Sequence, residues 1–286
     1  DCSVCKEEYF NLQPDNPDGC TKCYCFGKTT RCASSYLSWA EINGMSDWYL
    51  VNIEANRTLN IFPLTIGPSI LNDSVIGADL ASNEDGQQKV VYFGAPSYYL
   101  GKRLSSYGGY LTYSIFYTTR ENGHAIPAAD VIIEGPSGFI VHYSIEQPPS
   151  VVNWAHSVRM SEDEFTNLDG SSITRDQFMN VLVNVTNIYI RATYWHEAVT
   201  TRLMGVTLDI GKEEYQAPER RALSVEDCQC PKAYRGLSCE QCAEGHYRVS
   251  SGPHAGFCVP CQCNGHSKEC DINTGICLVN TSTLLK

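Results

Sequence analysis

Cysteine is confined to the two ends of this chain. Six of fifteen cysteines lie between Cys2 and Cys32, nine between Cys228 and Cys277, and the 195 residues from Ala33 to Asp227 have none. A segment below about 40 residues rarely buries enough apolar surface to fold unaided and is braced by disulfides or metals. The middle block is long enough to bury a core without such help. The chain therefore reads as one self-sufficient domain between two braced, Gly- and Pro-rich modules.

Dense cysteines mean disulfides or metal ligands. Cys2-x2-Cys5, Cys20-x2-Cys23, Cys239-x2-Cys242 and Cys258-x2-Cys261 have zinc-knuckle spacing. The pairs Cys23-x-Cys25, Cys228-x-Cys230 and Cys261-x-Cys263 interleave with them and spoil clean four-ligand sets. Four N-x-[ST] acceptors, at Asn56, Asn72, Asn184 and Asn280, point to a secreted protein. In that compartment disulfides are the favoured reading.

The formal net charge of -11 disfavours phosphate backbones, so nucleic-acid binding is not expected. No run approaches 18 apolar residues, so no membrane-spanning helix is expected. With Asp1-Cys2 opening directly into a cysteine module, the expectation is an excised piece of a longer secreted chain.

The spacing inside the clusters carries further. The run Cys261-Gln-Cys263-Asn-Gly-His-Ser-Lys-Glu-Cys270 leads into Thr274-Gly-Ile-Cys277. It follows Cys228-Gln-Cys230-Pro, Cys239-Glu-Gln-Cys242-Ala-Glu-Gly-His-Tyr247 and Cys258. These segments resemble the laminin-type EGF-like module, whose repeat has eight cysteines. Cys2, Cys5 and Cys20 match the end of one such repeat, and Cys23, Cys25 and Cys32 the beginning of the next. Its fourth cysteine arrives only at Cys228, so the central block looks inserted between the third and fourth cysteines. That arrangement, with the segment Asp176–Tyr194, resembles the laminin IV type A domain. The likeness points to a laminin α chain short arm first and perlecan second.

The resemblance implies a division into 1–22 (end of one EGF-like module), 23–32 plus 228–260 (a split module), 33–227 (the laminin IV type A domain) and 261–286 (start of the next module). It implies the pairs Cys5–Cys20, Cys23–Cys32, Cys25–Cys228, Cys230–Cys239, Cys242–Cys258, Cys261–Cys270 and Cys263–Cys277. Cys2 is left over, its expected partner lying upstream.

The central block reads mostly as strands. Lys89–Gly94, Tyr107–Thr119, Asp130–Ile145 (a hairpin turning at Gly135-Pro-Ser-Gly138), Asn187–Trp195 and Met204–Ile210 are rich in β-branched and aromatic residues. One helix is expected after Thr174, a capping residue, with Phe178, Leu182 and Val185 at helical spacing. The fold class is all-β, and the resemblance sharpens it to a jelly-roll sandwich inserted in a disulfide-rich EGF-like repeat.

No catalytic constellation is legible. His196-Glu197 lacks the second histidine of a zincin, since position 200 is threonine. G-x-S-x-G and P-loop patterns are absent. Asn83-Glu-Asp-Gly86 is an acidic turn without EF-hand spacing. No cofactor is expected, with a structural calcium left open. Tyr98, Tyr99 and Tyr107 are candidates for a sugar platform, with packing the plainer reading. His124, His142 and His156 read as isolated.

The expected function is a non-enzymatic structural segment of a basement-membrane glycoprotein, a globule on an EGF-like rod serving as spacer or docking surface in matrix and cell adhesion. Its partners would be other chains of a laminin-like assembly and basement-membrane components, with no small-molecule substrate. The alternative is a carbohydrate- or matrix-ligand-binding sandwich. A hydrolase would need a carboxylate pair or triad that is not found.

Overall fold

Alternation in the tyrosine-rich segment Tyr110–Thr119 puts Leu111, Tyr113, Ile115 and Tyr117 on one fully buried face, and none of the residues between them is buried. That period of two makes the segment the spine of a half-buried sheet. The computed structural model describes residues 4–14, 19–55, 58–80, 90–120, 124–213, 220–249, 256–265, 267 and 269–278. Cys2, Asn56, the turn Asn83–Gly86 and Asn280 lie outside the described residues.

Two units are present: Ser38–Gln216, and Asp1–Leu37 with Ala217–Lys286. The strands of the first are β1 (Ser38–Asn43), β2 (Tyr49–Ala55), β3 (Leu59–Pro63), β4 (Ser69–Asn72), β5 (Val75–Asp79), β6 (Val90–Gly94), β7 (Tyr110–Thr119), β8 (Val131–Gly135), β9 (Gly138–His142), β10 (Trp154–Arg159), β11 (Asn187–Arg191) and β12 (Ala198–Lys212). They form two six-stranded antiparallel sheets. One runs β10-β7-β12-β5-β4 with β1 also on β12, and the other runs β9-β8-β11-β6-β2-β3. The fold is all-β.

Strand β12 begins at Ala198, six residues earlier than its apolar pattern indicates. Its residues Thr200–Met204 pair with β5 and Thr207–Lys212 with β1, while β7 holds the other edge. Between the two partners Gly205 sits at φ 55, and the β7 register slips there. A glycine at positive φ inside a strand is the chemistry of a bulge.

The core draws on both sheets. Tyr117 of β7 stacks on Tyr194, beyond β11, at 5.5 Å, and the Tyr99 hydroxyl donates to the Val206 carbonyl of β12 at 2.9 Å. The helix α1 (Arg175–Leu182) opens with a capping box: Thr174 Oγ1 accepts from the Gln177 N–H, and Gln177 returns its amide oxygen to Thr174 N–H. Its buried side includes Phe178, Met179, Val181 and Leu182. Val185 lies past the helix, bridged to Gly101. A Cβ on Gly135 would come within 2.5 Å of the Val181 carbonyl, so the helix rests directly on the β8–β9 hairpin.

The second unit is short two-stranded pairs tied by disulfides. Tyr9–Phe10 pairs with Thr21–Lys22, Tyr234–Arg235 with Gln241–Cys242, and His246–Val249 with Phe257–Pro260. Cys32–Ser34 pairs with Glu226–Cys228, joining segments almost 200 residues apart in sequence. This ladder, extended by the Ser35 N–H to the Val225 carbonyl and the Ala222 N–H to the Leu37 carbonyl, draws residues 33–37 and 220–227 into the cysteine unit.

Candidate functional site

The ladder ends in a covalent clasp. Cys25 and Cys228 are bonded, with Cα atoms 5.9 Å apart and a sequence separation of 203. Cys25 and Phe26 stand at φ 44 and 47, an uncommon conformation for non-glycine residues. The Glu226 carboxylate, nearly fully buried, accepts the Tyr24 N–H at 2.8 Å and the Cys25 N–H at 3.0 Å, and so holds that bend. Glu226 also approaches both sulfurs, but each is committed to the disulfide, leaving no thiolate for a metal. Lys28 reaches across as well: its Nζ donates to the Gly256 carbonyl at 2.8 Å and lies 4.7 Å from the Phe257 ring centre. Burial, and then the charge of Arg248, lowers its pKa.

The structure brings the other cysteines together as Cys5–Cys20, Cys23–Cys32, Cys230–Cys239, Cys242–Cys258, Cys261–Cys270 and Cys263–Cys277.

In the sandwich, a cleft of about 560 Å³ is lined by His142 and Tyr143 at the end of β9, Trp154 and His156 of β10, Glu146 from the loop after β9, and Asp163 and Glu164 from the 3-10 turn Glu162–Glu164. The two histidines, isolated in sequence, meet here from opposite sheets, Nε2 to Nε2 at 3.0 Å. His142 Nδ1 lies 2.6 Å from the Glu164 carbonyl, which can only accept, so Nδ1 carries the proton. One of the two Nε2 atoms donates to the other, and Ser144 Oγ lies 3.1 Å from His156 Nε2. Trp154 stacks on His156 at 4.6 Å. Burial first, and His142 second, push the His156 pKa down to about 4, so it is neutral at pH 7.

Deeper, Arg191 is buried and gathers carbonyls. It donates through Nε to Thr193 (2.7 Å), through Nη1 to Ala128 (2.9 Å) and through Nη2 to Ile126. Asp130 Oδ1 is 3.8 Å from Nη1, and the Tyr194 ring covers the guanidinium at 4.3 Å. Converging carbonyls plus one carboxylate are the ligand chemistry of a calcium ion. Here a guanidinium occupies that arrangement.

The aromatic candidates do not form a platform. Tyr99 and Tyr107 are buried, with hydroxyls bonded to the Val206 carbonyl and to Glu162 (2.8 Å), and burial raises both pKa values. Tyr98 hydrogen-bonds the Ser46 carbonyl. His196-Glu197 forms a turn before β12: the His196 N–H meets the His124 carbonyl, and Glu197 lies 3.5 Å from Arg120. Asn72 and Asn184 are exposed.

Residues 92–226 match the family Laminin B (Domain IV). Over 272 residues the chain is 39% identical to "Laminin subunit alpha" of Drosophila melanogaster, covering 93% of this chain and 7% of that protein. It is 34% identical over 285 residues to "Laminin subunit alpha-1" of Mus musculus, covering 96% and 9%. It is 32% identical over 286 residues to the "Basement membrane-specific heparan sulfate proteoglycan core protein" of Mus musculus, covering 96% and 7%. The chain thus spans less than a tenth of these relatives. Among solved structures, the "L4b Domain of Human Laminin alpha-2" superposes with a TM-score of 0.52 at 23% identity, covering 62% of this chain and 99% of that one. With the sandwich, the capped helix at Thr174 and the matched residues in agreement, the chain belongs to the laminin domain IV family.

Proposed function

We propose that this chain is a non-enzymatic structural segment of a secreted basement-membrane glycoprotein, a globular spacer carried on a rod of EGF-like modules. The relatives it resembles are laminin α chains and a basement-membrane proteoglycan. The observation that carries the reading is the Cys25–Cys228 clasp beside the Cys32–Ser34/Glu226–Cys228 ladder. Tension along such a rod passes from residue 25 to residue 228 through one covalent bridge, and the sandwich stays off the load path. In this reading residues 23–32 and 228–260 are two halves of one module, and the neighbouring modules lie in 1–22 and 261–286.

Single-molecule stretching from the two termini tests it. The oxidised chain should extend without releasing the residues between Cys25 and Cys228. After reduction, roughly 700 Å of extra contour length should appear, at about 3.4 Å per residue. Release of that length before reduction refutes the reading. Its partners would be other chains of a laminin-like assembly and matrix components.

The cleft at His142, Trp154 and His156 favours a second reading, a binding module for a matrix ligand. Its Glu146, Asp163 and Glu164 oppose sulfated polysaccharides, so a neutral glycan would be bound and heparin not. Glycan-array binding that disappears in Trp154→Ala supports this reading, and retention on heparin at physiological salt counts against it.

A further inference from the structure

The sheet that contains β7 ends in an edge strand with little protection. Among the described residues strand β4 pairs only with β5, and all four of its residues are exposed. Ile70 is 66% exposed and Leu71 52%. An edge that offers unpaired backbone groups together with apolar side chains is a template for another chain, and proteins blunt such edges with charge, proline or bulges. Ser69-Ile-Leu-Asn72 has no charge. Pro68 precedes the strand and the register slips between Ile70 and Asn72, which interrupts the ladder but leaves both apolar side chains in solvent.

What the strand does have is a sequon, Asn72-Asp-Ser74, at the tip of the β4–β5 hairpin, where Asn72 pairs with Val75. Asn72 Oδ1 accepts the Ser74 N–H at 2.9 Å. Its Nδ2, the atom to which a sugar would be joined, has no hydrogen-bond partner among the described residues. We infer that Asn72 carries an N-linked oligosaccharide whose role is to cover this apolar edge and keep the sheet from pairing with a second chain. The bond joins Nδ2 to the anomeric carbon of the first sugar. The amide loses one proton, and a polyprenyl-pyrophosphate oligosaccharide donor releases its polyprenyl pyrophosphate. Four strand residues span only about 13 Å, and an oligosaccharide rooted at one end, bulky and solubilising, lies within reach of all of them.

The inference rests on passage through a glycosylating secretory route, as the proposed function requires. The test is expression of the whole chain from secreting cells, with glycopeptide mapping of Asn72 and Asn184. Two variants follow, Asn72→Gln and Ser74→Ala; the second removes the acceptor sequence but keeps the asparagine. Asn72 should be occupied, and both variants should melt within a few degrees of the parent. At a concentration where the parent is one size, both should at least double their weight-average mass by light scattering. Adding Ile70→Thr and Leu71→Thr to Asn72→Gln should restore the parental mass. A bare Asn72 beside an occupied Asn184 overturns the inference alone, and both bare overturns it together with the secreted reading. Variants that keep the parental mass overturn the shielding role.

Discussion

Arg191 shows how much one side chain organises. Its guanidinium bonds three carbonyls and faces Asp130, whose Oδ1 lies 3.8 Å from Nη1. Removing one partner of a buried ion pair leaves the other charge uncompensated and costs about 3–5 kcal/mol. Arg191→Met should lower the unfolding free energy by that amount, read from denaturant midpoints. His156 gives a pH signature. A histidine whose folded-state pKa is about 4 takes up its proton later than the unfolded chain, whose histidines titrate near 6.5. Its contribution is therefore full above about pH 6.5 and is lost as pH falls toward 4. The groups around it are His142, Asp163, Glu164 and Glu146, with Trp154 over the ring. Melting temperatures measured from pH 7 to pH 4 should fall less steeply in His156→Gln than in the parent; an equal fall would remove His156 from the account.

At the scale of elements, the helix is the clearest case of local sequence deciding local structure. Thr174 and Gln177 satisfy each other's backbone groups, and Thr174→Ala should cost about 1 kcal/mol in equilibrium unfolding. Those residue types at that spacing are readable without coordinates, as are the β7 alternation and the two-residue turn Pro136-Ser137. The length of β12 was not readable, because Gly205 interrupts its alternation and its partner changes from β5 to β1 midway. The cleft was hidden for a related reason. His142 and His156 come from strands in different sheets, and no local pattern records which strand ends face each other across a sandwich. Tyr99 and Tyr107 read as possible surface rings because burial of a tyrosine depends on finding hydroxyl partners such as the Val206 carbonyl and Glu162, which are far away in sequence.

Across the whole molecule the dominant constraint is one loop closure. In the chain-entropy account, bridging 203 positions destabilises the unfolded chain by about 5 kcal/mol, a ceiling that measured disulfides often miss. The double variant Cys25→Ser/Cys228→Ser should therefore retain the sandwich but unfold at lower denaturant, the loss being a few kcal/mol and no more than that ceiling. An unchanged midpoint would mean that the bridge does not restrain the unfolded sandwich.

The paired segments Cys32–Ser34 and Glu226–Cys228 have a consequence for modularity. The chain departs and returns on adjacent strands of one ladder, so residues 38–216 leave and re-enter the cysteine unit in the way a hairpin turn does. Loop length enters closure entropy only logarithmically. Replacing residues 38–216 with a short glycine-rich turn should give a miniature chain that still oxidises to the same bridges, checked by non-reduced peptide mapping. Scrambled bridges would show that the sandwich helps its host to fold.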